Sequence, residues 1–186
     1  MNLPNLISLA RLLSVPLLVW AILAGEMELA FWLFVAAGAS DAVDGFIAKR
    51  FHVTSVLGGY LDPLADKALL VSVYVALGSQ GYLPTWLVIL VVFRDVMIIG
   101  GALLFQTLTH SLKMQPLLIS KVNTLAQIIL AAVALGMVAM GPAASAIADS
   151  GLYWALVYLV AVTTSLSGAG YLVRWGRKAG NMEDAR

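Results

Sequence analysis

The sequence has no cysteine among its 186 residues. A disulfide framework, a cysteine nucleophile and a cysteine-based metal site are therefore all excluded. Charge is also scarce, because Asp, Glu, Lys and Arg together make up only 11% of the chain and sum to a net charge of +1. Soluble globular domains carry about 25% charged residues, so this composition excludes an ordinary soluble domain. We expect no nucleic-acid partner for such a chain.

Apolar residues take the place of the missing charges. They make up 61% of the chain, and the mean hydropathy is +0.94. These values indicate a protein that crosses the membrane several times. About six membrane helices of ~20 residues with short loops use up a chain of this length, so we predict one all-α membrane domain over residues 1–186.

Six apolar runs, separated by glycine and proline, are the predicted transmembrane helices. They cover residues 4–24, 28–50, 58–80, 84–107, 117–140 and 151–174. Three of the connecting loops contain no Lys or Arg, whereas seven basic residues lie at or near the opposite side: Lys49, Arg50, Lys113, Lys121, Arg174, Arg177 and Lys178. The positive-inside rule therefore places both termini and residues 40–67 on the cytoplasmic side.

The first span lacks a basic region ahead of its apolar run and carries Arg11 inside it, so we predict a retained helix rather than a cleaved signal peptide. A bacterial inner membrane is the expected location, with the mitochondrial inner membrane as the less favoured alternative. Arg11 belongs to a polar stripe with Asn5, Ser8 and Ser14. An arginine at this depth either faces protein or an aqueous cavity, or snorkels to the near interface.

Residues 40–67, the acidic stretch, carry four aspartates in a chain that has few acids elsewhere. On an ideal helix, two groups of four residues each fall within about a third of the circumference. The groups are Asp41, Asp44, Gly45 and Ala48, and Gly58, Gly59, Asp62 and Asp66. Each face carries two carboxylates beside residues with little or no side chain. Two such faces brought together would form an oxygen-rich cage with room for a ligand.

Four carboxylates without an equal number of bases repel one another and need a cation. Hard divalent cations bind carboxylate oxygens, and Mg²⁺ commonly shares its site with substrate phosphates. Two such ions about 3.5–4 Å apart are a standard device for displacement at phosphorus. The residues therefore favour a metal-dependent transferase acting on a lipid phosphate over a cation-coupled transporter, whose acids are usually fewer and nearer the midplane. A purely structural role has no use for these acids.

Two further polar clusters interrupt the apolar spans. Arg94 and Asp95 point about 100° apart on a helix, so they need not pair with each other. Either neighbouring helices satisfy them, or Arg94 faces an anionic ligand. The fifth span opens with a polar face formed by Ser120, Asn123, Thr124 and Gln127. Lys49, Arg94 and Lys121 are the basic residues available to hold anionic oxygens.

The acidic stretch, SDAVDGFIAKR followed by GGYLDPLADK, resembles the signature of the CDP-alcohol phosphatidyltransferase family: D-x-x-D-G-x-x-A-R, a gap, and G-x-x-x-D-x-x-x-D. The matching positions are Asp41, Asp44, Gly45, Ala48, Lys49, Gly58, Asp62 and Asp66. One position departs from the pattern, since Lys49 stands where the family usually has arginine. A point charge holds phosphates less rigidly than a bidentate guanidinium.

The resemblance implies a reaction and a set of roles. Two divalent cations, Mg²⁺ or Mn²⁺, would be ligated by Asp41, Asp44, Asp62 and Asp66. Asp66 would also be the general base for the acceptor hydroxyl, which attacks the phosphorus of CDP-diacylglycerol that bears the diacylglycerol, so that CMP leaves. The donor-binding residues implied are Gly45, Ala48, Lys49, Ser55, Gly58, Asn5 and Arg11. The family is usually dimeric, so a homodimer is expected.

Beyond the signature, the chain resembles the cardiolipin synthase branch of that family, in the segments NLPNLISLAR, LDPLADK, FRDVMIIGG, ISKVNTLAQIIL and YLVRWGRK. The phosphatidylglycerophosphate synthases tend to have G-K-x-K-T where this chain has Asn123 at the second lysine. Glycerol 3-phosphate is a phosphomonoester with a charge of about −2, whereas phosphatidylglycerol is a diester and needs less basic compensation. Phosphatidylglycerol is therefore the expected acceptor, bound by Arg94, Lys121 and Asn123, with glycerol 3-phosphate as the alternative.

Overall fold

The structure is a computed structural model, and every regular element in its described part is a helix. It describes the backbone of residues 3–51, 58–109, 117–141 and 151–183, and the side chains of residues 9–40, 65–102, 117–141 and 151–177. These ranges contain no strand and six helices: α1 (Leu3–Leu23), α2 (Met27–Phe51), α3 (Gly58–Ser79), α4 (Thr85–Thr109), α5 (Leu118–Ala139) and α6 (Leu152–Glu183). The all-α class expected from the sequence is therefore confirmed.

Each predicted span corresponds to one of these helices, and the first five agree within two residues at both ends. α6 differs, because it continues to Glu183 although the span was predicted to end at Arg174. The prediction ended the span where the apolar run meets charged residues. A helix does not need an apolar sequence, since Arg, Lys and Ala all favour helix and its backbone hydrogen bonds form within the segment.

Several helices have the length and composition of membrane spans. In the described ranges, three segments are long and apolar enough to cross a membrane: Thr85–Ala102, Leu118–Ala139 and Leu152–Arg177. α1 and α2 contribute shorter apolar stretches, Leu9–Leu23 and Met27–Ser40. Large apolar side chains face outward, such as Trp32 (60% exposed) and Phe93 (67% exposed). Lipid acyl chains are the solvent that suits such a surface.

Glycine ends two of the helices at the joints that the sequence indicated. Gly25 follows α1 with φ 81° and Gly81 follows α3 with φ 78°. Both lie in the left-handed region, where other residues are strained. After Gly81, the Tyr82 amide donates to the Leu77 carbonyl at 2.9 Å, which satisfies a carbonyl of the last helical turn.

The chain divides into two compact units. Unit 1 comprises Met1–Thr85 and Ala131–Tyr153, and within it α1 packs against both α2 and α3. Its buried apolar side chains include Leu18, Ala21, Ile22, Ala30, Phe34, Val73, Tyr74 and Leu77. The single domain expected over residues 1–186 stays a prediction.

Unit 2 comprises Trp86–Leu130 and Trp154–Arg186, and therefore contains most of α4, the first part of α5 and most of α6. Its buried apolar side chains include Leu87, Val91, Leu130, Val157 and Val160. Gly101 on α4 lies against the indole ring of Trp175 on α6, and a Cβ built at Gly101 would collide with that ring. The absence of a side chain at Gly101 is what allows α4 and α6 to approach closely there.

Candidate active site

The acidic stretch lies on α2 and α3 of unit 1. Helical backbone covers residues 40–51 and 58–67, which confirms the secondary structure on which the two acidic faces depend. The side chains of Asp41, Asp44 and Asp62 lie outside the described residues, so Asp66 is the one aspartate of the four whose contacts the structure gives. No group of three metal-ligating residues occurs among the side chains that are described. The metal site as a whole stays a prediction.

Most predicted donor-binding positions also lie beyond the side chains that the structure describes. These are Asn5, Gly45, Ala48, Lys49 and Gly58, while Ser55 lies outside the described backbone as well. Arg11 is described. The structure therefore tests the surroundings of the site at Arg11 and Asp66.

Asp66 lies at the edge of the packed face of α3. The preceding Ala65 is buried, as are Leu69 and Leu70 about one turn later, whereas the Asp66 side chain is 40% exposed. Its Oδ1 atom accepts a hydrogen bond from Arg11 Nη1 at 2.5 Å. A carboxylate with this exposure is accessible both to a cation and to a hydroxyl whose proton it takes.

Arg11 reaches Asp66 from α1, across 55 positions of the sequence. Only 4% of Arg11 is exposed, so the first of the two alternatives drawn from the sequence holds: the side chain faces protein and does not snorkel to the interface. Ser14 Oγ donates to the Arg11 carbonyl at 2.7 Å, one turn further along α1. The structure shows Arg11 bonded to Asp66, and its contact with the donor stays a prediction.

A cavity of about 170 Å³ lies between α1 and α2 beside Arg11. Its lining residues are Ala10, Arg11, Ser14, Leu33, Ala36, Ala37 and Ser40. Small side chains on α2 leave this space next to the start of the acidic stretch. The Ser40 hydroxyl donates to the Ala36 carbonyl at 2.7 Å, so it is bonded within its own helix. Sequence reasoning missed the cavity, although the run of small residues at 36–40 signals it.

Unit 2 holds a second polar centre, around Arg94. Arg94 and Asp95 are almost fully buried, and Arg94 Nη1 contacts Asp95 Oδ1 at 2.6 Å. The guanidinium also donates to Ser167 Oγ on α6 from Nε at 3.1 Å and from Nη2 at 2.5 Å. A further bond runs from Nη2 to Ser120 Oγ on α5 at 2.5 Å.

Neighbouring helices therefore satisfy Arg94, as the first of its two alternatives stated. The adjacent Asp95 pairs with it as well, although helix geometry does not require this. Their pairing offsets the cost of burying an isolated charge inside an apolar bundle. Ser167 was not among the predicted site residues. Its sequence signal is the polar stripe that it forms with Thr163 on α6.

Asn123 and Lys121 occupy different environments on α5. Asn123 is fully buried, and its Oδ1 accepts hydrogen bonds from Thr163 Oγ1 and Thr164 Oγ1, both at 2.8 Å. Its Nδ2 has no hydrogen-bond acceptor within the described part of the chain. Lys121 is exposed. Of the three predicted acceptor residues, Lys121 is therefore the one at the surface of unit 2.

The ligand atoms of the acidic stretch suit a hard divalent cation. The chain has no cysteine and only two histidines, so α2 and α3 offer carboxylate oxygens. Asp66 presents such a carboxylate at a partly exposed position. Mg²⁺ and Mn²⁺ prefer oxygen ligands of this kind. The residues present fit either ion.

Known proteins similar to this chain point to one family. The profile of the CDP-alcohol phosphatidyltransferase family matches residues 1–166. The chloroplastic CDP-diacylglycerol–glycerol-3-phosphate 3-phosphatidyltransferase 1 of Oryza sativa subsp. japonica is 38% identical, over 94% of this chain and 57% of its own length. The cardiolipin synthase (CMP-forming) of Homo sapiens is 33% identical, over 95% of this chain and 62% of its own length.

A bacterial relative matches over a larger share of its own length. The CDP-diacylglycerol–glycerol-3-phosphate 3-phosphatidyltransferase of Bacillus subtilis (strain 168) is 31% identical, over 69% of this chain and 73% of its own length. The chain spans about three-fifths of the rice and human relatives. Because the family profile covers most of the chain, including the helices that carry the aspartates, this protein belongs to the CDP-alcohol phosphatidyltransferase family.

Proposed function

We propose that this protein transfers a phosphatidyl group from CDP-diacylglycerol to phosphatidylglycerol, forming cardiolipin and CMP. The observation that carries the proposal is the family match over residues 1–166, which includes the aspartate signature on α2 and α3. The human relative is named a CMP-forming cardiolipin synthase. The rice and Bacillus relatives are named as transferases to glycerol 3-phosphate. Phosphatidylglycerophosphate synthesis is therefore the second candidate, and the 38% identity to the rice protein favours it.

Asp66 moves the proton in this proposal. Its partly exposed carboxylate, held at Oδ1 by Arg11, takes the proton of the acceptor hydroxyl. The hydroxyl oxygen forms a bond to the phosphorus that carries the diacylglycerol. The bond from that phosphorus to the oxygen of CMP breaks, and CMP leaves with the electron pair. No covalent bond to the protein is formed.

Cations and donor are assigned to the acidic stretch. Members of the family depend on divalent cations in general, and we assign two ions, Mg²⁺ or Mn²⁺, to Asp41, Asp44, Asp62 and Asp66. When bound, the ions neutralise charge on the attacking and leaving oxygens. The small side chains let the nucleotide approach the backbone, and Lys49 supplies a positive charge for its phosphates. The donor contacts assigned are Asn5, Gly45, Ala48, Lys49, Ser55 and Gly58.

Acceptor binding is assigned to residues of unit 2. Lys121 is exposed and supplies one positive charge for a phosphodiester. Arg94 binds Ser120, the residue before Lys121, and Asn123 is bonded to α6 through Thr163 and Thr164. These two residues therefore fix the first turns of α5 on either side of Lys121. An asparagine at 123 leaves one positive charge fewer than a lysine, which suits a diester better than a monoester.

The membrane arrangement is part of the same proposal. Six transmembrane helices, with both termini and the acidic stretch on the cytoplasmic side, agree with the one-sided distribution of Lys and Arg. The outward-facing apolar side chains of both units support this arrangement. A bacterial inner membrane is the proposed location, with the mitochondrial inner membrane as the second, and a homodimer is the proposed state.

Release of CMP tests the transferase activity. Purified protein in phospholipid nanodiscs, with CDP-diacylglycerol and Mg²⁺ or Mn²⁺, should release CMP only when phosphatidylglycerol is added. Chelation of the metal by EDTA should stop the release. A cation-coupled transporter would release no CMP with any alcohol. CMP release without an acceptor would indicate hydrolysis and contradict a transfer reaction.

A further inference from the structure

Two charged side chains from distant parts of unit 1 meet at the candidate active site. Arg11 Nη1 on α1 donates to Asp66 Oδ1 on α3 at 2.5 Å. The partners differ in exposure, since 4% of Arg11 is exposed against 40% of the Asp66 side chain. The ion pair therefore joins a buried cation to a carboxylate at an accessible edge.

The burial of Arg11 makes it the fixed partner. A guanidinium inside an apolar bundle is stable only beside a counter-charge, and it cannot be deprotonated in a protein. α1 packs against α3, and the Arg11 carbonyl is bonded to Ser14 within α1. Asp66 is thereby placed against a cation that is held inside unit 1.

Fixing one oxygen matters for a carboxylate that takes a proton. A general base must lie about 2.6–3.2 Å from the group that it deprotonates. A displacement of about 1 Å in an active site can cost on the order of 100-fold in rate. A charge-assisted hydrogen bond to Oδ1 restricts the rotation of the Asp66 carboxylate, because such bonds are short and directional.

We infer that Arg11 is a positioning residue for Asp66, and that it acts on the reaction through this carboxylate and not through contact with the lipid donor. The kinetic consequence of the ion pair rests on the proposed function. The ion pair itself does not. Sequence reasoning grouped Arg11 with the donor-binding residues, because the partner on α3 is visible only in the folded chain.

Two substitutions at Arg11 separate positioning from donor binding. Arg11→Gln removes the charge, and Arg11→Lys keeps it without the guanidinium fork. If Arg11 positions Asp66, Arg11→Gln lowers kcat by about 30- to 100-fold, while the KM for CDP-diacylglycerol changes by less than about threefold. Arg11→Lys then has a higher kcat than Arg11→Gln. A rise of about tenfold or more in that KM, at unchanged kcat, would identify a donor contact and overturn the inference.

A second measurement needs neither substrate nor metal. Thermal unfolding in EDTA is compared for Arg11→Gln, Asp66→Asn and the double variant. Both single variants break the same ion pair, so the shift in Tm of the double variant should be clearly smaller than the sum of the two single shifts. Ser79→Ala is the matched control. Its hydroxyl is bonded to the Ala76 carbonyl at the opposite end of α3, so its shift should add to that of Asp66→Asn.

The two failures can be told apart. Additive shifts for Arg11→Gln and Asp66→Asn would overturn the role of Arg11, whatever the enzyme does. Wild-type protein that releases no CMP would overturn the proposed function, while the unfolding cycle would still test the ion pair. An active wild type with non-additive shifts and a fall confined to kcat in Arg11→Gln is the result expected.

Discussion

Replacing Arg94 by methionine removes a buried guanidinium but keeps an unbranched stem in place of its aliphatic part. The wild-type side chain makes one hydrogen bond to Asp95, one to Ser120 and two to Ser167. Hydrogen bonds between membrane helices are worth about 0.6 kcal/mol on average, so the three bonds to serine contribute about 2 kcal/mol together. Removing one member of a buried ion pair costs about 3–5 kcal/mol, because the other member keeps its charge. Breaking the ion pair with Asp95 therefore costs more free energy of unfolding than losing the hydrogen bonds to serine.

We therefore expect Arg94→Met to lower the free energy of unfolding by about 3–5 kcal/mol. The assay is reversible unfolding of purified protein in mixed micelles, followed by circular dichroism. Adding Asp95→Asn should recover at least about half of the loss, since it removes the carboxylate charge that Arg94 no longer balances. Phe93→Leu, at an exposed neighbouring position, is the control and should stay within about 0.5 kcal/mol of wild type. A loss below about 1 kcal/mol for Arg94→Met would refute this reasoning.

Three other changes test separate parts of the molecule. Gly101→Ala should lower the free energy of unfolding by about 1–3 kcal/mol, because its Cβ meets the Trp175 ring. Gly100→Ala is the control, since a Cβ at that position meets nothing within 4 Å. Equal effects of the two variants in the same unfolding assay would contradict this. Asp66→Asn should reduce CMP release by about 100-fold or more with an unchanged circular dichroism spectrum, and substantial residual turnover would remove Asp66 from proton transfer. Lys121→Gln should raise the KM for phosphatidylglycerol by about fivefold, and a change confined to the KM for CDP-diacylglycerol would contradict its assignment to the acceptor.

The helices were predictable because local sequence determines them. Apolar runs gave their number, and glycines that adopt positive φ, at Gly25 and Gly81, gave joints between them. The C-terminal end of α6 was not predictable from hydropathy, because Arg174 to Glu183 continues the helix without apolar character. The sequence shows where an apolar environment ends but not where helical hydrogen bonding ends.

The helices that carry the aspartates were predictable, but the partner of Asp66 was not. Spacing on an ideal helix placed the acids on two faces without any knowledge of packing. The pairing of Arg11 with Asp66 joins two helices across 55 positions, and no local pattern carries that information. Arg94 and Asp95 show the reverse case. They are adjacent in sequence, yet only their shared burial makes them pair.

The sequence indicates the acceptor less strongly than it indicates the type of reaction. The rice relative is named for an acceptor, glycerol 3-phosphate, and the human relative for a product, cardiolipin, yet they are 38% and 33% identical to this chain over nearly all of its length. We propose that the aspartates serve the phosphatidyl transfer common to both. We also propose that the charge at the start of α5, where Lys121 is exposed and Asn123 is uncharged, decides between the two acceptors.

Competition between the two acceptors in one reaction tests transfer to phosphatidylglycerol most directly. Purified protein in nanodiscs receives CDP-diacylglycerol, Mg²⁺ or Mn²⁺, and equal amounts of phosphatidylglycerol and glycerol 3-phosphate, and the lipid products are identified by mass spectrometry. The proposed function predicts cardiolipin and CMP in equal amounts, with phosphatidylglycerophosphate no higher than in the Asp66→Asn control. Phosphatidylglycerophosphate as the main product would contradict the assigned acceptor and make the chain a phosphatidylglycerophosphate synthase.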